Sequence, residues 1–199
     1  MKQPDPYPDL YLDRATILPT VWETLRTAAQ DRRSTGHTPT AGTRGEDGAP
    51  RLRTVVLRAC DAEARTLDFH TDIRAPKVRE LQADPRMTLH FYLPDAKLQL
   101  RVRGSASIEH QSDTARQRWD GMSHSSQACY NVHPAPSTAI EQPRPEAPVA
   151  QGDAGLEHFA VVRLHIEHID WLYLSARGHL RAQFTWDDQG RSQSRWVAP

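Results

Sequence analysis

The sequence predicts a mainly β protein: one antiparallel barrel with a few helices flanking it. Three observations carry this. Leu98, Leu100 and Val102 alternate with Gln99, Arg101 and Arg103, the period of a half-buried strand. Eight strand-like segments follow one another, most through short polar turns, which favours antiparallel neighbours closing on themselves. Only three segments have helical spacing, and no internal repeat is present.

The elements follow in order. Residues 17–33 predict an amphipathic helix, with Leu18, Val21, Trp22, Leu25, Ala28 and Ala29 at spacings of three and four. Pro19 suits its first turn and Gly36 its stop. "TPTAGTR" and "RLRTVVLRAC" flank "GEDGAP", a turn signal, and predict a hairpin. "TLDFHT", residues 66–71, is a third strand. Residues 75–85 are a short helix with Pro76 near its start. "RMTLHFYL" and "LQLRVRGSASIE" are strands joined by "PDAK". Residues 111–122 predict another helix. Five prolines between 133 and 155 exclude a long regular element there. "FAVVRLHIEHIDWLYL", "GHLRAQFTWD" and "SRWVAP" are the closing strands.

A chain of 199 residues is one ordinary domain, and 38% hydrophobic content with 15 prolines reserves part of it for loops. Zero formal net charge argues against a nucleic-acid or membrane-surface binder. Of the basic residues only Lys2, Lys77 and Lys97 are lysines, so arginine abundance carries little meaning and an internal lysine carries more. Cys60 and Cys129 form no CxxC pair and are expected as free thiols in a reducing compartment. "MKQPDPYPDLYLD" lacks an apolar leader core and nowhere do 18 apolar residues run together, so a soluble, cytoplasmic protein is expected. His165 and His168 stand three apart on a strand and face opposite ways, so no metal site is expected.

Within this order a set of words stands out: an arginine strand "RLRTVVLR", a strand end "FHTD", a helix with early Lys77, the turn "DPR", a strand opening with Gln99 and ending "VRG", and a terminal "RWVAP". Over roughly residues 35–199 this resembles the FMN-binding split barrels of the pyridoxamine 5′-phosphate oxidase family. The resemblance implies an antiparallel, Greek-key split β-barrel, with FMN as cofactor and two sites shared across a homodimer interface.

It also implies residues. Arg53 and Lys77 would hold the FMN phosphate with Thr71 as a hydroxyl donor, and His70 precedes Thr71 in the matched pair. Residues 53–58 would run beneath the isoalloxazine ring, which brings in Thr54, Val55, Val56 and Arg58. Gln99 would add an amide contact, and His124 and Ser125 stand nearest the family's second-subunit pair. The chemistry agrees, because a phosphate needs clustered cations and hydroxyls and a flat ring needs an apolar slot.

The substrate end departs from the family. Arg58 stands where a substrate-facing lysine is usual, Pro76 where an arginine precedes the helix lysine, and His179 and Arg181 invert an R-x-H pair. These three, Arg58, His179 and Arg181, are the substrate candidates, with Arg116 and Arg118 behind them. No catalytic residue is assigned. The expected function is an FMN-dependent oxidoreductase of a small molecule, diverged from the parent oxidase. A flavin or haem carrier without turnover, the true pyridoxamine-phosphate oxidase and a barrel that only mediates assembly are the alternatives. No Gly-rich dinucleotide fingerprint is present.

Overall fold

A computed structural model describes residues 7–143, 152–187 and 189–199 of the chain. It contains helix α1 (Arg14–Gln30), strands β1 (Thr40–Arg44), β2 (Pro50–Thr54), β3 (Leu57–Asp61) and β4 (Thr66–Asp72), helix α2 (Pro76–Ala83), strands β5 (Arg86–Leu93) and β6 (Leu98–His110), helices α3 (Asp113–Asp120) and α4 (His124–Ala128), and strands β7 (Phe159–Tyr173), β8 (Leu180–Trp186) and β9 (Ser192–Trp196). No helix or strand occurs in the described parts of 133–155, namely 133–143 and 152–155. Residues 144–151 of the predicted excursion, with Pro145 and Pro148, lie outside the described residues.

All strand pairs are antiparallel, in the order β2-β1-β5-β6-β7-β4-β3, with β8 and β9 branching from β7. The expected mainly β, antiparallel class holds, but the sheet is not closed. Its two ends, β2 and β3, are consecutive in sequence. What reads as one strand, "RLRTVVLRAC", is two, because Val55 leaves the hairpin ladder and donates its N–H to Pro39 O at 3.0 Å. The side chain of Val55 turns into the core, and the chain crosses from one sheet end to the other.

The branch has a local cause. β6 pairs with β7 from Ala160 to Tyr173, but Arg103 opposes His168 while Gly104 opposes Ile166, leaving Glu167 as an extra residue. Such a bulge sharpens the twist. Before it β7 pairs with β4, and after it with β8. A Cβ on Gly104 would lie 1.8 Å from His165 O, so only glycine permits this approach.

Helix α1 starts three residues before the predicted boundary, because Asp13 caps it by accepting from Ala15 N at 2.9 Å. Pro19 therefore sits inside the helix, and the helix ends at Gln30, well before Gly36. Ile17, Val21, Trp22, Leu25 and Ala28 are its buried side, packed into the main core with Leu57, Phe69, Leu89, Phe91, Leu100 and Trp171. The predicted helix at 111–122 is shorter, and α4 follows it unpredicted. On the other face of the sheet Trp119 and Ala115 of α3 close a second cluster over Phe159 and Val161. This is why the start of β7 is buried on both faces and reads as a continuous apolar run. No helix among the described residues is long and apolar enough to cross a membrane.

Candidate functional site

The predicted site residues fall into three places in one protomer. The first is where α2 starts, beside the end of β4 and the β1–β2 hairpin. Lys77 Nζ donates to the buried Thr71 Oγ1 at 3.1 Å. Arg53 Nη2 donates to Glu80 Oε2 at 2.6 Å, and Thr43 Oγ1 donates to the same oxygen at 2.6 Å. Arg53 Nη1 also bonds Thr43 Oγ1. Burial pushes the Lys77 ammonium below its usual range, with the Arg53 charge adding to it and Asp72 and Glu80 opposing. A partly buried cation with one hydroxyl partner keeps two N–H donors for a ligand. That arrangement suits a phosphate.

The second place lies under α3 and α4. Neighbouring residues on a strand face opposite ways, so His70 does not join Thr71. His70 packs edge-on against Phe159, with ring centroids 4.9 Å apart, and neither ring nitrogen has a partner. Arg58 lies between Leu57, which opposes Phe69, and Ala59, which opposes Asp68, so it is the unpaired residue of a β-bulge. The bulge aims it at a pocket of about 260 Å³ lined by Arg32, Arg58, His70, Arg118, Ser123 and Ser126 among others. Burial first, then the charges of Arg58 and Arg118, bring the His70 pKa down to about 4 against the opposing pull of Asp68, so the ring is neutral at pH 7. Asp68, buried, receives two bonds of 2.9 Å from Arg163 and one of 3.3 Å from Arg118. His124 and Ser125 are exposed at the start of α4, whose capping residue Ser123 lines the pocket.

The third place is at the far end of β7. Gln99 opposes Leu172, and Leu172 opposes Arg181. Thr71 opposes Ala160, near the start of the same strand. The twelve steps from Ala160 to Leu172 span roughly 40 Å of strand contour at about 3.3 Å each. Gln99, His179 and Arg181 therefore do not meet the Lys77 and His70 groups within one protomer. Arg181 is held by Asp170 through bonds of 3.1 and 2.9 Å, with Arg101 and Gln183 on the same carboxylate. Burial works to raise the Asp170 pKa, but these bonds outweigh it and hold the group low. His179 is exposed and accepts from Ser175 N at 3.1 Å.

Thr54 ends β2, exposed, and Val55 and Val56 form the crossing segment. Of the weaker candidates, Arg116 is occupied by Asp120 and Asp153, while Arg118 faces the His70 pocket. A depression of about 600 Å³ lies between the hairpin and the β7 bulge, and none of the predicted site residues lines it. Glu80, Thr43, Asp68, Arg32 and Ser126 were not found in the sequence. Glu80 alone left a trace there, three residues after Lys77 on the same helix face. No cluster of three or more metal-ligating side chains forms among the described residues.

The open antiparallel barrel carries one cationic, hydroxyl-lined cradle at a helix start and a second cationic pocket under α3 and α4, both of a chemistry that suits anions. Residues 19–110 match the family model described as the pyridoxamine 5′-phosphate oxidase FMN-binding domain. A pyridoxine/pyridoxamine 5′-phosphate oxidase of Rubrobacter xylanophilus is 41% identical over 69 residues, 34% of this chain and 31% of that protein. One from Xanthomonas campestris is 32% identical over 103 residues, 50% of this chain and 49% of its own length. The aligned part thus spans half or less of these relatives. Among solved structures, PhzG of Burkholderia lata, in complex with tetrahydrophenazine-1-carboxylic acid, has a TM-score of 0.72 at 18% identity over all of both chains. A pyridoxamine 5′-phosphate oxidase-related, FMN-binding protein of Nostoc punctiforme has a TM-score of 0.70 at 20% identity, covering 91% of this chain and 96% of that one. Residues 19–110 are thus similar to the FMN-binding domain of the pyridoxamine 5′-phosphate oxidase family, and the fold is that of these split-barrel structures.

Proposed function

We propose that the protein is an FMN-dependent oxidoreductase that acts on a small anionic molecule as a cytoplasmic homodimer. The observation that carries the reading is the Lys77–Thr71 pair with Arg53 beside it, inside the segment matched to an FMN-binding domain. Lys77, Thr71 and Arg53 would take the phosphate, and residues 53–58 would run along the ring toward the His70 pocket. FMN supplies the two-electron redox chemistry, and the protein positions the substrate and excludes water.

Arg58, Arg118 and Arg32 would receive the substrate's anionic group. Arg58 is a guanidinium fork where the family's usual substrate-facing residue is a lysine, and a fork selects planar, bidentate anions such as carboxylates. PhzG, whose fold is similar, was solved with a carboxylated heterocycle, and a ligand of that chemistry suits this pocket. The separation of Gln99, His179 and Arg181 from Lys77 supports the homodimer reading, because a site using all of them needs a second copy.

The test uses FMN-loaded protein under anaerobic conditions. Heterocyclic carboxylates and phosphates, pyridoxamine phosphate among them, are added one at a time while the flavin's visible band is followed. Bleaching by an anionic donor, reversed by oxygen, supports the reading. If none bleaches the bound flavin, and reduced nicotinamide does not either, the protein is a carrier.

A further inference from the structure

We infer that His70 is a ligand of the oxyanion taken up against Arg58 and Arg118, and that it binds a proton together with that anion. This rests on the reading above that Arg58, Arg118 and Arg32 receive an anionic group. Among the described residues six buried side-chain nitrogens lack a hydrogen-bond partner, and three of them belong to this pocket: both ring nitrogens of His70 and Nε of Arg118. A buried polar group left without a partner calls for a physical reason. Once His70 is protonated all three nitrogens are donors, so what the pocket lacks is an acceptor.

The charges around the ring agree. Arg32, just beyond α1, Arg58 of β3 and Arg118 of α3 line the pocket, and no carboxylate does. The buried Asp68 on β4 is held by Arg163 through two bonds of 2.9 Å and by Arg118 at 3.3 Å. Val161, opposite His70 on β7, is apolar, and Ser123 and Ser126 at α4 are uncharged. Burial pushes the Tyr130 phenol up and keeps it neutral. Without an anion, burial first and then Arg58 and Arg118 oppose a charge on His70, with Asp68 working the other way. An oxyanion reverses part of this. It offsets the two guanidiniums and gives the imidazolium N–H its acceptor. The occupied pocket then holds a proton donor that the unoccupied one lacks.

Sulfate is the probe, because its own charge stays constant over the pH range used. It is titrated at fixed ionic strength with excess FMN present, so that the Lys77 cradle is filled. NMR follows the ring signals of His70, assigned by their loss in His70→Gln, and calorimetry follows sulfate affinity. With sulfate bound, His70 should titrate about two pH units higher than without it. By linkage, sulfate should bind about tenfold more tightly at pH 5 than at pH 8, and His70→Gln should remove most of that difference. In the Arg58→Gln, Arg118→Gln chain His70 should titrate higher even without sulfate and no longer respond to it. If the two arginine substitutions weaken sulfate binding but sulfate leaves the wild-type His70 titration unmoved, the inference is overturned. A His70→Gln chain that keeps the full tenfold difference also overturns it. No sulfate binding, or binding that the arginine substitutions leave unchanged, overturns the anion-pocket reading instead.

Discussion

Lys77, near the start of α2, donates to Thr71 at the end of β4 across 3.1 Å, and this bond ties the one internal lysine of the cradle to a buried hydroxyl. A charge-assisted bond is worth about 1.5–3 kcal/mol. Lys77→Ala should therefore weaken FMN binding roughly tenfold to a hundredfold. Thr71→Val, which keeps the shape, should cost less. Fluorescence titration checks both, and unchanged affinity in Lys77→Ala would move the phosphate elsewhere.

Asp68 under α3 is a structural hub. It is 2% exposed and takes Arg163 by two bonds of 2.9 Å, with Arg118 at 3.3 Å. Breaking a buried pair strands the opposite charge. The guanidiniums here are partly exposed, which discounts the cost to about 2–4 kcal/mol. Asp68→Ala should lower stability by that much in urea unfolding. Asp68→Ala with Arg163→Met should recover part of it, because the more closely held of the two stranded charges is gone.

Arg58 and Arg118 reach the His70 pocket from two different elements, and neither contacts the Lys77 cradle through a hydrogen bond or ion pair. Arg58→Gln and Arg118→Gln should each raise the KM for an anionic substrate about tenfold or more while leaving FMN affinity unchanged. Steady-state kinetics and flavin titration together decide. A parallel loss of FMN would place the cofactor, not the substrate, against these arginines.

His70 gives the fold an acid-side weakness. Its pKa is near 4 when folded and about 6.5 when unfolded, so the unfolded state binds the extra proton between those values. Stability from this group is complete above about pH 6.5 and is lost as pH falls toward 4. The loss should reach at most about 3 kcal/mol, less by the pocket's access to water. His70→Phe should remove this slope from a pH series of chemical unfolding. An identical slope in both proteins would contradict it.

Gly104 and Gly42 make a matched pair. A Cβ at Gly104 would lie 1.8 Å from His165 O, a backbone atom that the β6–β7 ladder fixes. At Gly42 it would meet Leu52 Cδ2 at 3.2 Å, the tip of an exposed side chain. Gly104→Ala should destabilise by several kcal/mol or prevent folding, and Gly42→Ala by about 1 kcal/mol or less. Thermal denaturation of the two checks this.

These features differ in how far the sequence shows them. Strands β5 and β6 are legible because their side chains alternate, with Asp84-Pro85 before β5 and Pro94-Asp95 between the two. The break at Val55 is not, because two valines continue a strand pattern equally well inside the core or inside a ladder. The fork at Glu167 is equally hidden, since a one-residue bulge leaves no mark in periodicity. Arg53, Thr71 and Lys77 were legible as a family word. Glu80 was not legible as the partner of Arg53, because 27 residues separate them and the pairing exists only once α2 lies beside β1 and β2. Arg51, indistinguishable from Arg53 in sequence, pairs with Asp47 of its own hairpin at 2.7 Å.

The central claim is that this cradle holds FMN by its phosphate. Purified protein, stripped and then titrated with FMN and with riboflavin at pH 6.5, tests it most directly. The prediction is saturable FMN binding with the visible band of a bound flavin, riboflavin weaker by roughly two orders of magnitude from the loss of two charge-assisted contacts, and that preference abolished in Arg53→Ala with Lys77→Ala. No flavin uptake, or equal affinity for FMN and riboflavin, would contradict it.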